Sequence, residues 1–164
     1  MSEFNIRNLE LKDAPGILEW MHDPETLNIF QKDFSNFNLL DVENFIRRIV
    51  GDKELHLACV DDKDEYLGTV SLKNIDLINK KAEFAISFRK IAQGTGAAAY
   101  ATSYILEKAF KELKIERVYL FCLEDNYRAV KFYKKMGFVE DVFFKKDLWI
   151  SGSPKNTVWF SKIV

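Results

Sequence analysis

The chain has 164 residues, 48% of them hydrophobic and 14% aromatic, with a formal net charge of −1. That length fits one domain spanning 1–164, and that apolar content fills a packed core, which excludes a disordered chain. The near-neutral total gives no whole-chain attraction to nucleic acid or to an anionic membrane.

No run approaches the roughly 20 apolar residues that a spanning helix needs. The opening MSEFNIRNLE has no long apolar run behind a basic start. A soluble, cytoplasmic protein is therefore expected. Residues 4–9 alternate apolar and polar, as a half-buried strand does. Asp13 is expected to cap a helix with Pro15 in its first turn, and Asp23-Pro24 to end it. An irregular stretch rich in Phe, Asn and Asp runs over 27–38. Asp41 then starts a second helix with Val42, Phe45, Ile46 and Ile49 on its apolar face.

Three strand-like runs follow at 55–60, 66–75 and 79–88. Their short polar connections predict an antiparallel meander. The period then changes. Ile105, Leu106, Ala109, Phe110 and Leu113 recur at helical spacing, predicting a helix over about 96–113. A dense run of β-formers at 116–123 predicts a buried strand. Asn126 opens a further helix, and Gly137 closes it as a C-cap glycine. Runs at 138–150 and 157–163 read as closing strands. The order is β-α-α-β-β-β-α-β-α-β-β, a mixed α/β fold with helices on the faces of one sheet. Cys59 and Cys122 each sit inside an apolar run and read as buried thiols. No His or Cys lies at ligand spacing beside them, so no metal is expected. His22 and His56 stand alone, the latter opening a strand whose neighbour the sequence does not name.

The segment Gln93-Gly94-Thr95-Gly96-Ala97-Ala98 lies between a strand and a long helix. Small residues let a phosphate approach the backbone. The first N–H groups of a helix have no internal partner and sit at the positive end of its dipole. Such a turn binds anions without Lys or Arg. It can equally be a turn that packs a helix tightly on a sheet. Gly94, Gly96 and Ala99 also fit the dinucleotide fingerprint, but five residues intervene after the strand, and antiparallel-looking strands precede it. No Gly-Lys-Ser/Thr follows, which excludes a Walker A loop.

The same turn matches Gln/Arg-x-x-Gly-x-Gly/Ala, with Gln93, Gly96 and Ala98 at the fixed positions. About 30 residues on, the stretch from Asn126 to Phe138 matches N-x-x-A-x-x-x-Y-x-x-x-G-F. Together with the element order, these motifs resemble the GNAT (Gcn5-related N-acetyltransferase) superfamily. The resemblance implies a GNAT fold, with about seven mostly antiparallel strands and four helices, and acetyl-CoA as co-substrate. The backbone of Gln93, Gly94, Thr95, Gly96, Ala97 and Ala98 would bind the pyrophosphate. The pantetheine arm would pair with backbone near Ile86, Ser87 and Phe88, on a strand that splays from its neighbour through a bulge. A free N–H there would stabilise the thioester oxyanion. Asn126 would bond the arm, with Ala129 beside it, and Tyr133 would protonate the departing thiolate. Glu83 interrupts an otherwise apolar strand and is the candidate base for the amine.

The Trp-x-x-Asp-Pro helix end is similar to the branch of ribosomal-protein and nucleotide-amino-sugar acetyltransferases. The residues expected to choose the acceptor are Trp20, Met21, Asp23, Phe30, Phe34, Phe37 and Trp149. A small amine such as an amino sugar is the first expectation, because aromatic faces stack on sugars. A peptide N-terminus is the second, and a non-catalytic acyl-CoA-binding module the third. A homodimer through the terminal strands is expected by family analogy alone.

Overall fold

The computed structural model describes residues 3–49 and 51–164. Its core is a seven-stranded sheet in the order β1-β2-β3-β4-β5-β7-β6. The strands are β1 (Phe4–Asn8), β2 (Leu55–Asp61), β3 (Tyr66–Asp76), β4 (Lys81–Phe88), β5 (Arg117–Leu123), β6 (Val139–Ile150) and β7 (Ser153–Ile163). Every neighbouring pair is antiparallel except β4 and β5. The predicted meander is therefore present.

Among the described residues five α-helices flank the sheet: α1 (Ala14–Met21), α2 (Pro24–Ile29), α3 (Leu39–Arg48), α4 (Ala97–Glu107) and α5 (Tyr127–Lys135). The sequence predicted four. Asp23-Pro24 ends α1 as expected, but it also starts α2: Pro24 supplies a preset first helical residue, and the Asp23 side chain accepts from Glu25 N at 2.9 Å. Two predicted caps also differ. Asp13 stands at the N-cap of α1 as expected, but its side chain makes no cap bond to that helix; its carboxylate takes two bonds from Arg7, at 2.8 and 2.9 Å, and one from Glu10 N. Helix α3 begins two residues before Asp41, because Asn38 is its cap and Asp41 closes the reciprocal capping box. Helix α4 passes into a π-helical turn at Lys108–Glu112.

Period-two alternation in the strands divides the side chains between two layers. Leu57, Val70, Leu72, Ala82 and Phe84 face the α4 side, against Ala97, Ala101 and Ile105, and the aromatic end of α5 joins them. Ala58, Val60 and Tyr66 face the α1–α3 side, against Ala14, Ile17 and Val42. Gly16 lets α1 lie directly on the Tyr66 ring, which comes within 2.5 Å of where a Cβ would stand. Both cysteines are free, Cys59 buried and Cys122 half-buried. Among the described residues no helix is long and apolar enough to cross a membrane.

Candidate active site

Strand β4 keeps unbroken register with β3 from Gly68↔Phe88 to Lys73↔Glu83, and β5 pairs with β7 along its whole length. Between β4 and β5, however, pairing covers only Lys81↔Arg117, Ala82↔Val118 and Glu83↔Tyr119. Beyond Glu83 the sheet opens into a V. The expected bulge is absent from this part of β4. Each strand instead follows its other neighbour, and sheet twist carries the two halves apart.

The opening leaves backbone groups of β4 free, and the alternation says which. Arg89 N–H bonds Leu67 O on the β3 side, while Lys80 O accepts from Glu116 and Arg117 on the β5 side. Successive residues point to opposite neighbours. Ile86 and Phe88 therefore direct their N–H groups into the gap, whereas Ser87 directs its backbone toward β3. Phe88 is held by Gly68, whose missing side chain leaves room for its ring.

At the wide end of the V stands the turn Gln93–Ala98. Gly94 and Gly96 have φ of +76° and +87°, a region that L side chains resist. Thr95 Oγ1 accepts from Ala97 N at 3.2 Å and donates to Ala92 O, fixing the start of α4. The N–H groups of Gly94, Gly96, Ala98 and Ala99 donate to no described residue. Four free donors at a helix N-terminus, with no side chain over either glycine, form an anion cradle.

Helix α5 forms the other wall. Asn126 caps it by accepting from Ala129 N at 3.3 Å, so its amide NH₂ stays free to donate. Its C-terminus carries both bonds of a Schellman motif: Phe138 N–H to Tyr133 O, and Gly137 N–H to Lys134 O, with Gly137 at φ +89°. That turn folds Phe138 back on Tyr133, which is why the motif reads Tyr-x-x-x-Gly-Phe. The Tyr133 ring packs 6.2 Å from Phe84 and 5.9 Å from Phe138. Burial pushes its phenol well above the ordinary range, with Cys122 adding to the shift. Its hydroxyl bonds no described residue.

On the opposite face of the sheet, between α1, α3 and the strands, lies a cavity of about 940 Å³. It shares Ala85, Ile86 and Ser87 of β4 with the V. Trp20, Phe30, Phe34 and Phe37 wall it in a chain of ring contacts 5.4–6.3 Å apart. Met21 also lines it. Asp23 and Trp149 do not: the first caps α2 and the second is exposed on β6. Glu83 shares the strand face of Ala85 and Ser87 but lies outside the cavity wall; its carboxylate accepts from Asn74 Nδ2 at 2.8 Å. The cavity also contains His56, bonded to Ser71 Oγ at 2.7 Å. Sequence reading passed over this histidine, because only the β2–β3 register brings it to Ser71.

Residues 3–139 match the family model of the acetyltransferase (GNAT) domain. The chain belongs to the GNAT acetyltransferase family. The spermidine N(1)-acetyltransferase of Vibrio cholerae serotype O1 is 27% identical over 152 residues, covering 92% of this chain and 87% of that protein. The Escherichia coli K12 spermidine N(1)-acetyltransferase is 24% identical over 154 residues, covering 93% and 82%. The crystal structure of a Vibrio cholerae spermidine N-acetyltransferase in complex with CoA and spermine superposes with a TM-score of 0.89, at 23% identity, over 99% of this chain and 96% of that one. This GNAT protein is thus an acetyl-CoA-dependent N-acetyltransferase, and the dinucleotide alternative for Gly94, Gly96 and Ala99 falls away. Among the described residues no group of three or more His, Cys, Asp or Glu side chains is arranged to hold a metal.

Proposed function

We propose that the chain acetylates a small primary amine by direct attack on acetyl-CoA in the gap between β4 and β5. Acetyl-CoA enters from the α4–α5 face. Gly94, Gly96, Ala98 and Ala99 hold the pyrophosphate by backbone N–H groups, Asn126 bonds the pantetheine arm, and the Ile86 or Phe88 N–H receives the thioester oxygen. The amine arrives from the cavity on the other face. Its nitrogen attacks the thioester carbon, the C–S bond breaks, and Tyr133 hydrogen-bonds the departing sulfur. A phenol pushed upward gives its proton only as thiolate charge develops, since a free thiol ionises near 8.5. Cys122 is a poor nucleophile here: burial holds its thiol at about 11. That supports a ternary complex over an acetyl-enzyme.

The observation that carries the small-amine reading is the aromatic cavity sharing Ala85–Ser87 with the V. Its size suits a small ligand rather than an extended chain. The named relatives point to polyamines as the second reading. The charge of the wall favours an amino sugar or another amine whose remaining groups are hydroxyls or anions. Four cations, Lys32, Arg47, Arg48 and Lys73, face two carboxylates, Asp33 and Asp41. Of the cations only Arg47 pairs with a carboxylate, at 3.6 Å from Glu43. A polycation would be repelled there.

The test is free-thiol release from acetyl-CoA with glucosamine, spermidine and a short peptide bearing a free N-terminus. Turnover of glucosamine above both others is expected. Preferred turnover of spermidine would restore the polyamine reading, and preferred turnover of the peptide would overturn the small-amine reading.

A further inference from the structure

An ammonium has no lone pair, so an acceptor that binds protonated must lose a proton before it attacks. Glu83 is tied to Asn74 outside the cavity wall. A different group already connects the cavity to water. Strand register aligns His56, Ser71 and Ala85 across β2, β3 and β4. Ser71 Oγ lies 2.7 Å from His56 Nδ1, and His56 Nε2 lies 3.1 Å from Glu54 Oε2. His56 and Ser71 are buried, with 9% and 5% of their surface exposed, while the Glu54 side chain is 54% exposed. Phe45 of α3 stands edge-on to the imidazole at 5.2 Å and fixes its plane.

We propose that Ser71, His56 and Glu54 form a proton relay that deprotonates the acceptor amine. The inference rests on the small-amine reading of the cavity. Neutral His56 accepts from Ser71 at Nδ1 and donates from Nε2 to Glu54. An ammonium N–H bond breaks as its proton passes to Ser71 Oγ. The serine's own proton moves to Nδ1, leaving a neutral amine and an imidazolium. The Glu54 carboxylate stabilises that imidazolium, accepts its Nε2 proton as that N–H bond breaks, and passes the proton to solvent. No oxidant or further reactant is needed. Ser71 touches the amine, whereas His56 and Glu54 act through it. Other charged groups sharing the cavity are Asp41, Arg47 and Arg48 from α3, Lys73 from β3, and Lys32 and Asp33 from the segment after α2.

The experiment is a pH profile of kcat/KM from pH 6 to 10, with glucosamine and spermidine as probe amines, for the unaltered protein, His56→Gln, Ser71→Ala and Glu83→Gln. Acetyl-CoA affinity and the melting temperature monitor the fold. At pH 7 the His56→Gln and Ser71→Ala proteins should lose about a hundredfold. With glucosamine, the less basic of the two, the loss should shrink to within about threefold above the amine's own pKa, where no base is needed. Turnover by the unaltered protein, with His56→Gln equally active or equally impaired at every pH, overturns the relay and leaves the functional reading standing. The pH-dependent loss appearing in Glu83→Gln but not in His56→Gln does the same. No thiol release from the unaltered protein with either amine defeats the functional reading and the relay with it.

Discussion

Tyr133 sits where a phenol is hardest to ionise and easiest to aim, walled by Phe84, Phe138 and Phe160, with its hydroxyl bonded to no described residue. Tyr133→Phe keeps the packing and removes the proton. It should lower kcat by about a hundredfold and leave acetyl-CoA affinity nearly unchanged; steady-state kinetics and calorimetry separate the two. Asn126 caps α5 and, in the proposed mechanism, also donates to the pantetheine arm; substitution can divide the two. Asn126→Asp keeps a cap oxygen for Ala129 N, so the melting temperature should hold, while loss of the amide donor raises the KM for acetyl-CoA. Asn126→Ala should lose both, including about 1 kcal/mol of stability. The buried thiols make a pH prediction. Burial holds Cys59 at about 12 and Cys122 at about 11, against 9.0 unperturbed. The unfolded chain therefore releases these protons first, and stability falls as pH rises through and above 9. Denaturant midpoints at pH 8 and 10.5 should show that fall, and it should be smaller in Cys59→Ala.

At the scale of elements, legibility followed the range of the interaction. The Schellman turn after α5 is local, and Gly137-Phe138 announced it. The same is true of Gly94 and Gly96, where positive φ requires glycine. Helix α2 was written in Asp23-Pro24 as well, but those two residues also read as a helix end, and either use is locally sound. The V between β4 and β5 was implied only by resemblance, and its cause differs from the one expected. No residue of β4 bulges; the gap arises because each strand stays registered with a different partner. Register is long-range, so it hid the His56–Ser71 pair too. Glu83 stood out in sequence by its charge, but the Asn74 amide that donates to its carboxylate did not.

For the whole molecule, function follows from a sheet that is open through its middle. In the proposed mechanism donor and acceptor approach from opposite faces and meet at Ile86–Phe88, so neither has to leave before the other binds. Initial-velocity plots should intersect rather than run parallel, as expected for a ternary complex. The cavity proposed for the acceptor carries a surplus of cations. Arg48→Glu should therefore raise kcat/KM for spermidine relative to glucosamine by severalfold, an effect that fades at high salt. The cradle proposed for the pyrophosphate uses backbone N–H groups alone, and its removal is the most direct test. Calorimetric titration of acetyl-CoA should show binding to the unaltered protein and at least tenfold weaker binding to Gly96→Val, in which a branched side chain intrudes on the cradle at a left-handed φ. Equal affinity in a Gly96→Val protein that still melts cooperatively would contradict the account, because the pyrophosphate would then lie elsewhere.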